Sequence, residues 1–287
     1  MTTLHFTYKA AYMLSSLLIC SSLSGSEQVA FTYAKAQSTD AESIDALMLT
    51  EGINDSNKIV ILPNKFRKPS IESSIEKGRF YVALHNELLV GYKKLFLVTD
   101  ADERTSLLTE EIRCINGSLV DQHLFTKTTE NDYLSHPLTE GATSDFTGSI
   151  CIYDGADFTK NNFRGQGINQ ELTNQAFELI EEDTHKRCKE TEAERIILLY
   201  GLTYLNDYNE QGEGKSRTPS IVQSFALFIH ALTGLYPNEI RHSRYKAFMP
   251  TFELDAEECR PNPDSKSIPG YGNLLEVTLP VTTKEQS

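Results

Sequence analysis

The sequence predicts a mixed α/β fold in which helices cover both faces of one central sheet. Two observations lead to this prediction. Strand-like segments and amphipathic helical segments alternate along most of the 287 residues, without internal repeats. One segment, "RIILLYGLT" (residues 195–203), is apolar almost throughout, which is typical of a strand covered on both faces.

The first elements are a strand and a helix. "VAFTYAKA" (residues 29–36) alternates apolar and polar side chains, as a half-buried strand does. In the next segment, residues 38–52, Thr39 and Glu42 have the spacing of a capping box, and Gly52 can end the helix.

A second helix and a hairpin follow. We expect a short helix that begins near Ser70, directly after Pro69, and stops at Gly78. Residues 80–84 alternate in polarity, "HNE" makes a turn, and residues 88–99 return as a longer strand.

Residues 100–147 are polar and irregular, with one candidate helix at residues 107–112. An excursion of this length without clear structure is usually a functional loop or an inserted flap. Because it connects two strands that would border a cleft, we expect it to shape the site for a second substrate.

The second half of the chain predicts strands and helices in alternation. "GSICIYDGADF" reads as a strand that Gly155 interrupts, where a β-bulge forms easily. The helix after it carries a one-sided apolar stripe that would pack on the sheet. The elements expected here are strands at residues 148–158, 195–203, 244–254 and 273–281, and helices at residues 168–180 and 220–234.

Composition excludes several classes of protein. The net charge of −13 argues against a nucleic-acid binder, which needs a basic face. The five cysteines show no CxxC spacing and the seven histidines form no HExxH motif. We therefore expect no metal site and no disulfide framework, and a reducing compartment fits best.

The N-terminal residues leave three interpretations open. "AAYMLSSLLICSSLS" (residues 10–24) has the length of a signal-peptide apolar region and is too short for a good membrane span. It is a signal peptide, an extra buried helix, or the product of a start assigned upstream of Met13. We treat residues 1–27 as an extension, residues 28–256 as the domain, and residues 257–287 as a tail with one added strand. A cytoplasmic location is expected, with export as the alternative.

Arg164-Gly165-Gln166-Gly167 stands directly in front of the helical segment at residue 168. The first N–H groups of a helix have no intrahelical acceptor and lie at the positive end of its dipole. Glycines at such a place let a phosphate approach the amides closely. The competing interpretation is a tight turn that needs glycine for a positive φ.

"RGQGIN" resembles the acetyl-CoA motif of the GNAT superfamily of acyl-CoA-dependent N-acyltransferases, Arg/Gln-x-x-Gly-x-Gly/Ala. The order of elements over residues 29–254 is also similar to that family. The resemblance implies a mostly antiparallel sheet, with residues 100–147 inserted between its third and fourth strands. It implies acetyl-CoA as cosubstrate, with the pyrophosphate held by backbone amides. The residues it assigns to coenzyme binding are Phe158, Arg164, Gly165, Gln166, Gly167, Ile168 and Asn169.

The chain departs from the family at three places, and one is the insertion at residues 100–147, which is long for a connection that the family usually keeps short. Asn169 stands where the motif has Gly or Ala, so the loop and the helix pack differently there. The family often carries a tyrosine in the helix after its fifth strand, and "FALFIHALTG" has none.

The resemblance implies direct attack of a primary amine, on a small molecule or a peptide, without a covalent enzyme intermediate. The oxyanion would be held by a backbone N–H of the bulged strand. Asp154 and Asp157, beside the expected bulge, are our candidate bases, and Tyr208 or Tyr204 the candidate acid. The competing interpretation, which we favour for either residue taken alone, is a pair of strand-end or turn carboxylates in water. The alternative function is a non-catalytic acyl-CoA-binding or sensor domain. Neither the acceptor nor the oligomeric state follows from the sequence.

Overall fold

The computed structural model describes seven stretches of the chain: residues 30–54, 64–98, 115–129, 132–138, 148–204, 218–249 and 268–280. The chain divides into two compact units, Met1–Phe31 and Thr32–Ser287. Every helix and strand described belongs to the second unit. The N-terminal segment at residues 10–24 lies outside the described residues.

Within these stretches, nine strands form one sheet and four helices accompany it. The strands are β1 (Thr32–Lys35), β2 (Phe80–His85), β3 (Leu88–Leu97), β4 (Ile115–Lys127), β5 (Tyr133–Leu138), β6 (Ser149–Thr159), β7 (Arg195–Tyr204), β8 (Glu239–Met249) and β9 (Ile268–Thr278). The helices are α1 (Ala41–Asn54), α2 (Asn64–Glu76), α3 (Ile168–Glu190) and α4 (Thr218–Thr233).

The strand order is β1-β2-β3-β6-β7-β9-β8-β4-β5. Neighbouring strands are antiparallel throughout this order, except that β6 and β7 run parallel. The prediction of a mixed, mostly antiparallel sheet is confirmed.

Helices lie on both faces of the sheet, as the sequence predicts. On one face, Ile44 of α1 and Ile71 of α2 share a buried cluster with Val82 and Tyr92. On the other face, Ile168 of α3 packs against the backbone of β3. Helix α4 packs on α3 through the stacked rings of Phe177 and Phe228, whose centroids are 4.7 Å apart.

The hairpin of β2 and β3 is confirmed, and its turn has the geometry that tight hairpins favour. Asn86 and Glu87 have φ values of 48° and 66°. A two-residue turn with positive φ at both positions matches the right-handed twist of the strands that it joins.

The predicted capping box of the first helix and the predicted start of the second helix are wrong. A short 3-10 turn, Ser38–Asp40, precedes α1, and the backbone N–H of Gln37 donates to Asp40 Oδ2 at 2.7 Å. The reciprocal spacing is therefore Gln37/Asp40 and not Thr39/Glu42. Helix α2 begins at Asn64, so Pro69 lies inside it. The proline removes one backbone hydrogen bond, and burial of residues such as Ile71 outweighs that loss.

The prediction of irregular chain at residues 100–147 is wrong for residues 115–127 and 133–138. These residues form the hairpin of β4 and β5, and β4 pairs with β8 at the far side of the sheet. Gln122 Nε2 donates to Ser243 Oγ at 2.8 Å, and Phe125 is buried. Polar side chains that bond across strands hide the apolar alternation by which a strand is recognised. The candidate helix at residues 107–112 lies outside the described residues.

The last two strands differ in position from the prediction. Strand β8 begins at Glu239, five residues before the predicted residue 244. Strand β9 is an interior strand between β7 and β8, with Leu274 and Leu275 buried.

Candidate active site

Strand β6 contains the β-bulge expected at Gly155. Lys93 and Leu95 of β3 are two residues apart, whereas their partners on β6, Asp157 and Asp154, are three apart. A Cβ atom at Gly155 would lie 2.6 Å from the ring of Tyr153, closer than real contacts allow. The extra residue therefore needs glycine, and it bends the strand.

Beyond the bulge, β6 and β7 part. Their parallel pairing runs from Ser149 opposite Arg195 to Asp154 opposite Tyr200. After that point β6 continues along β3 to Thr159, and β7 continues along β9 to Tyr204. A wedge thus opens between two neighbouring strands, next to the bulge.

The glycine-rich turn lies at the end of β6. Gly165 and Gly167 have φ values of 79° and 78°, and Gly167 is the residue immediately before α3. The interpretation as a turn that needs positive φ is therefore correct. It does not exclude a phosphate site, because a Cβ atom at either glycine would meet no heavy atom within 4 Å. The turn is exposed at residues 164–167 and leaves the helix N-terminus accessible.

The side chains of this turn contact their own loop. Arg164 Nε donates to the carbonyl oxygen of Thr159 at 3.1 Å, and Gln166 Nε2 donates to that of Asn162 at 3.4 Å. A ligand at this helix end would be held by backbone amides, with the Arg164 and Gln166 side chains bracing the loop.

Two other predicted coenzyme contacts serve packing through their side chains. Ile168 is buried, and a Cβ atom at Gly91 would lie 3.2 Å from its Cγ2. Phe158 is half-buried with its ring 5.6 Å from that of Tyr92, on the face of α1 and α2. Only their backbones remain available to a ligand at the α3 N-terminus.

Asp154 and Asp157 share a buried cation that the sequence analysis missed. Lys93 is 1% exposed, and its Nζ lies 2.8 Å from Asp154 Oδ1 and 3.5 Å from Asp157 Oδ2. The Asp154 side chain is 5% exposed and that of Asp157 is 19% exposed. Asp157 Oδ2 also accepts a hydrogen bond from Asn169 Nδ2 at 2.6 Å. The two candidate bases therefore lie together beside the wedge.

The predicted acids are Tyr208 and Tyr204. Tyr208 lies outside the described residues, and only the backbone of Tyr204 at the end of β7 is described. Their role in protonating a leaving group stays a prediction.

A second polar group lies on the same face of the sheet as Asp154. Tyr200, Asn273 and Arg244 pair successively across β7, β9 and β8, and Arg244 forms an ion pair with Asp121 of β4. His242 Nε2 is 3.2 Å from Asn273 Oδ1, and its ring lies 6.0 Å from that of Tyr200. Burial lowers the pKa of His242 to about 4, against the opposing hydrogen bond to Asn273. The imidazole is therefore neutral at pH 7 and, as donor to a carbonyl oxygen, carries its proton on Nε2.

The described residues form neither a cluster suited to a metal ion nor a helix suited to cross a membrane. No group of three or more His, Cys, Asp or Glu side chains is arranged to hold a metal ion in this part of the chain. None of the helices described combines the length and the apolar character needed to cross a membrane.

Comparisons with known proteins give matches among solved structures alone. No family model matches the chain, and no curated protein matches it. Three solved structures illustrate the matches, each with 10% sequence identity. The match to the polyamine N-acetyltransferase of Drosophila melanogaster covers 87% of this chain and 100% of that protein's chain, with a TM-score of 0.37.

The other two structures extend the same picture. The match to the loading GNATL domain of CurA from Lyngbya majuscula covers 87% of this chain and 98% of that domain's chain, with a TM-score of 0.39. A GCN5-related N-acetyltransferase from Kribbella flavida covers 60% of this chain, which spans only 30% of that protein, with a TM-score of 0.29.

Proposed function

We propose that the chain is an acyl-CoA-dependent N-acyltransferase that moves an acetyl group from acetyl-CoA to a primary amine on a small molecule or peptide. One observation carries the proposal. Two left-handed glycines leave the α3 N-terminus open directly after a bulged strand that parts from its parallel neighbour. This arrangement supports a phosphate site at the helix N-terminus and a gap for a thioester beside the bulge.

The proposed ligand of the exposed turn is the pyrophosphate of the coenzyme. A pyrophosphate would accept hydrogen bonds from backbone N–H groups at the start of α3, where the helix dipole favours negative charge. Gly165 and Gly167 provide room for that approach because neither position carries a Cβ atom. The residues proposed for coenzyme binding, mainly through their backbones, are Phe158, Arg164, Gly165, Gln166, Gly167, Ile168 and Asn169.

The proposed reaction is a direct displacement. The amine nitrogen attacks the thioester carbonyl carbon, the C–N bond forms, the C–S bond breaks, and the thiolate leaves. A base takes a proton from the amine, and an acid, in our proposal Tyr208, gives one to the thiolate. A backbone N–H at the bulge would hold the oxyanion.

Of the two candidate bases, Asp157 is better placed than Asp154. Its side chain is more exposed, at 19% against 5%, and its distance from the Lys93 ammonium is longer. A base must reach the proton that it removes, so the greater exposure of Asp157 decides between them.

The non-catalytic alternative has one observation in its favour. Lys93 contacts both carboxylates, so each candidate base already shares a cation inside the protein. A protein with this scaffold could bind acyl-CoA without turning it over. A cytoplasmic location goes with either form of the proposal, because acetyl-CoA is a cytosolic compound.

Thiol release from acetyl-CoA in the presence of lysine, spermidine and a short peptide distinguishes the two functions. The enzyme proposal expects release that depends on the amine. It also expects Asp157→Asn to lower kcat at least ~100-fold, the low end for a general base, with coenzyme affinity changed less than about twofold. Asp183→Asn, at an exposed position of α3, is the matched control and should behave like the parent. Coenzyme binding without amine-dependent release would favour the non-catalytic form.

A further inference from the structure

A long charged side chain occupies a core position in the middle of β3. Lys93 lies on the same face of the strand as Gly91 and Leu95, and it is 1% exposed. Surface lysines keep the ammonium in water, and burying it costs free energy that an apolar residue of similar volume would not. A buried lysine at this position therefore needs a reason other than stability.

The contacts of Lys93 span the bulge. Its ammonium lies 2.8 Å from Asp154, before the extra residue, and 3.5 Å from Asp157, after it. A bulge interrupts the regular ladder, so this part of the strand is held less firmly by backbone hydrogen bonds. One cation between two carboxylates ties both sides of the bulge to β3.

The same network reaches the helix of the glycine turn. Asp157 Oδ2 accepts the 2.6 Å hydrogen bond from Asn169, the second residue of α3 and the residue next but one to Gly167. Thr173 Oγ1 in turn donates to the carbonyl oxygen of Asn169 at 2.8 Å. The chain Lys93–Asp157–Asn169 thus connects β3, the bulge and the first turn of α3.

We propose that Lys93 and Asn169 are positioning residues that fix the bulge relative to the helix N-terminus. Asn169 stands where the motif has Gly or Ala. Neither Gly nor Ala has a side-chain donor, so only the asparagine can form the side-chain hydrogen bond to Asp157. If the N-terminus of α3 holds the phosphates and the bulge faces the thioester, the network sets the distance between them. This last step rests on the proposed function, and the mechanical connection does not.

The mechanical connection is tested by amide hydrogen exchange. Asn169→Ala removes the donor to Asp157, so amides at residues 155–158 should exchange at least ~tenfold faster, the effect expected from losing a hydrogen bond to a charged group. Gln170→Ala, at the exposed neighbouring position, is the control and should leave these amides unchanged. Lys93→Met should speed exchange at residues 171–174 of α3, and Lys94→Met, on the opposite face of β3, should not. If Lys93→Met does not fold, Asn169→Ala decides alone. Faster exchange confined to the substituted element would overturn the proposal.

The functional consequence is tested by comparing the change in kcat with the change in the Kd of CoA. In acetyl transfer, Asn169→Ala should lower kcat ~tenfold and change the Kd of CoA by less than about threefold, because misplacing reacting groups costs rate more than binding. An equal loss in kcat and CoA affinity, or no loss in kcat, would overturn the positioning role. If the parent does not bind CoA, the proposed function fails, and the exchange experiment still decides whether the bulge and α3 are connected.

Discussion

Replacing Gly167 by valine tests whether this glycine is needed for phosphate binding or only for its left-handed backbone. The first role predicts a loss of coenzyme affinity, and the second predicts only a loss of stability. Gly167 has a φ of 78°, and no heavy atom lies within 4 Å of the position its Cβ would take. The Cβ atom of a valine would therefore meet no clash. Its cost to folding comes from the left-handed backbone, about 1–2 kcal/mol, and more for a β-branched side chain.

Gly148 provides a matched control. It has a φ of 68°, its Cβ position is equally open, and it lies at the other end of β6 from the turn. Gly148→Val and Gly167→Val should lower the free energy of unfolding by similar amounts, with a decrease in Tm of about 2–4 °C per kcal/mol.

The two variants should differ in coenzyme affinity. At residue 167 the valine side chain would occupy the space through which a phosphate reaches the amides at roughly 3 Å. We expect Gly167→Val to weaken CoA binding by at least ~2 kcal/mol, about thirtyfold, and Gly148→Val by less than about twofold. Arg164→Ala should cost less than Gly167→Val, since an exposed charge contributes modestly.

Calorimetric titration of CoA into each variant makes the comparison, with circular dichroism as the check on folding. A folded Gly167→Val that binds like the parent would refute the assignment of the turn to phosphate. Equal losses in both glycine variants would attribute the effect to general destabilisation.

Two further predictions concern buried polar groups. Because burial lowers the pKa of His242 to about 4 from its ordinary 6.5, the unfolded chain binds more protons between these values. The free energy of unfolding should therefore fall by up to ~3 kcal/mol as the pH drops from 6.5 to 4. Urea unfolding of His242→Gln should not show this decrease. The same pH dependence in the parent and the variant would contradict the assignment of the decrease to His242. Asp154→Ala removes the 2.8 Å partner of the buried Lys93 ammonium and should cost about 3 kcal/mol in urea unfolding. A loss below about 1 kcal/mol, as expected of the surface control Asp183→Ala, would mean that the pair is solvated.

The sequence predicts those parts of the fold that depend on local patterns. The β2–β3 hairpin, the bulge at Gly155, the apolar β7 and the start of α3 after Gly167 are all where residue periodicity and glycine placement indicate. Each of these features is determined by residues near one another along the chain, so one sequence is sufficient to find them.

What the sequence does not reveal depends on contacts between distant residues. Lys93 and Lys94 are consecutive in the sequence, a pattern typical of an exposed surface. Only the pairing of β3 with β6 brings Lys93 to Asp154. Both faces of β3 are buried, so alternation of polarity cannot identify which of the two lysines points inward. Likewise, His242 meets Asn273 across 31 residues of sequence.

The most direct test of the account is a crystal structure of the full chain grown with CoA. The account predicts the pyrophosphate within about 3 Å of backbone amide nitrogens in residues 165–169, and the thiol in the wedge between β6 and β7 near Asp154 and Tyr200. A coenzyme bound elsewhere, or no bound coenzyme at saturating concentration, would contradict the assignment of this site.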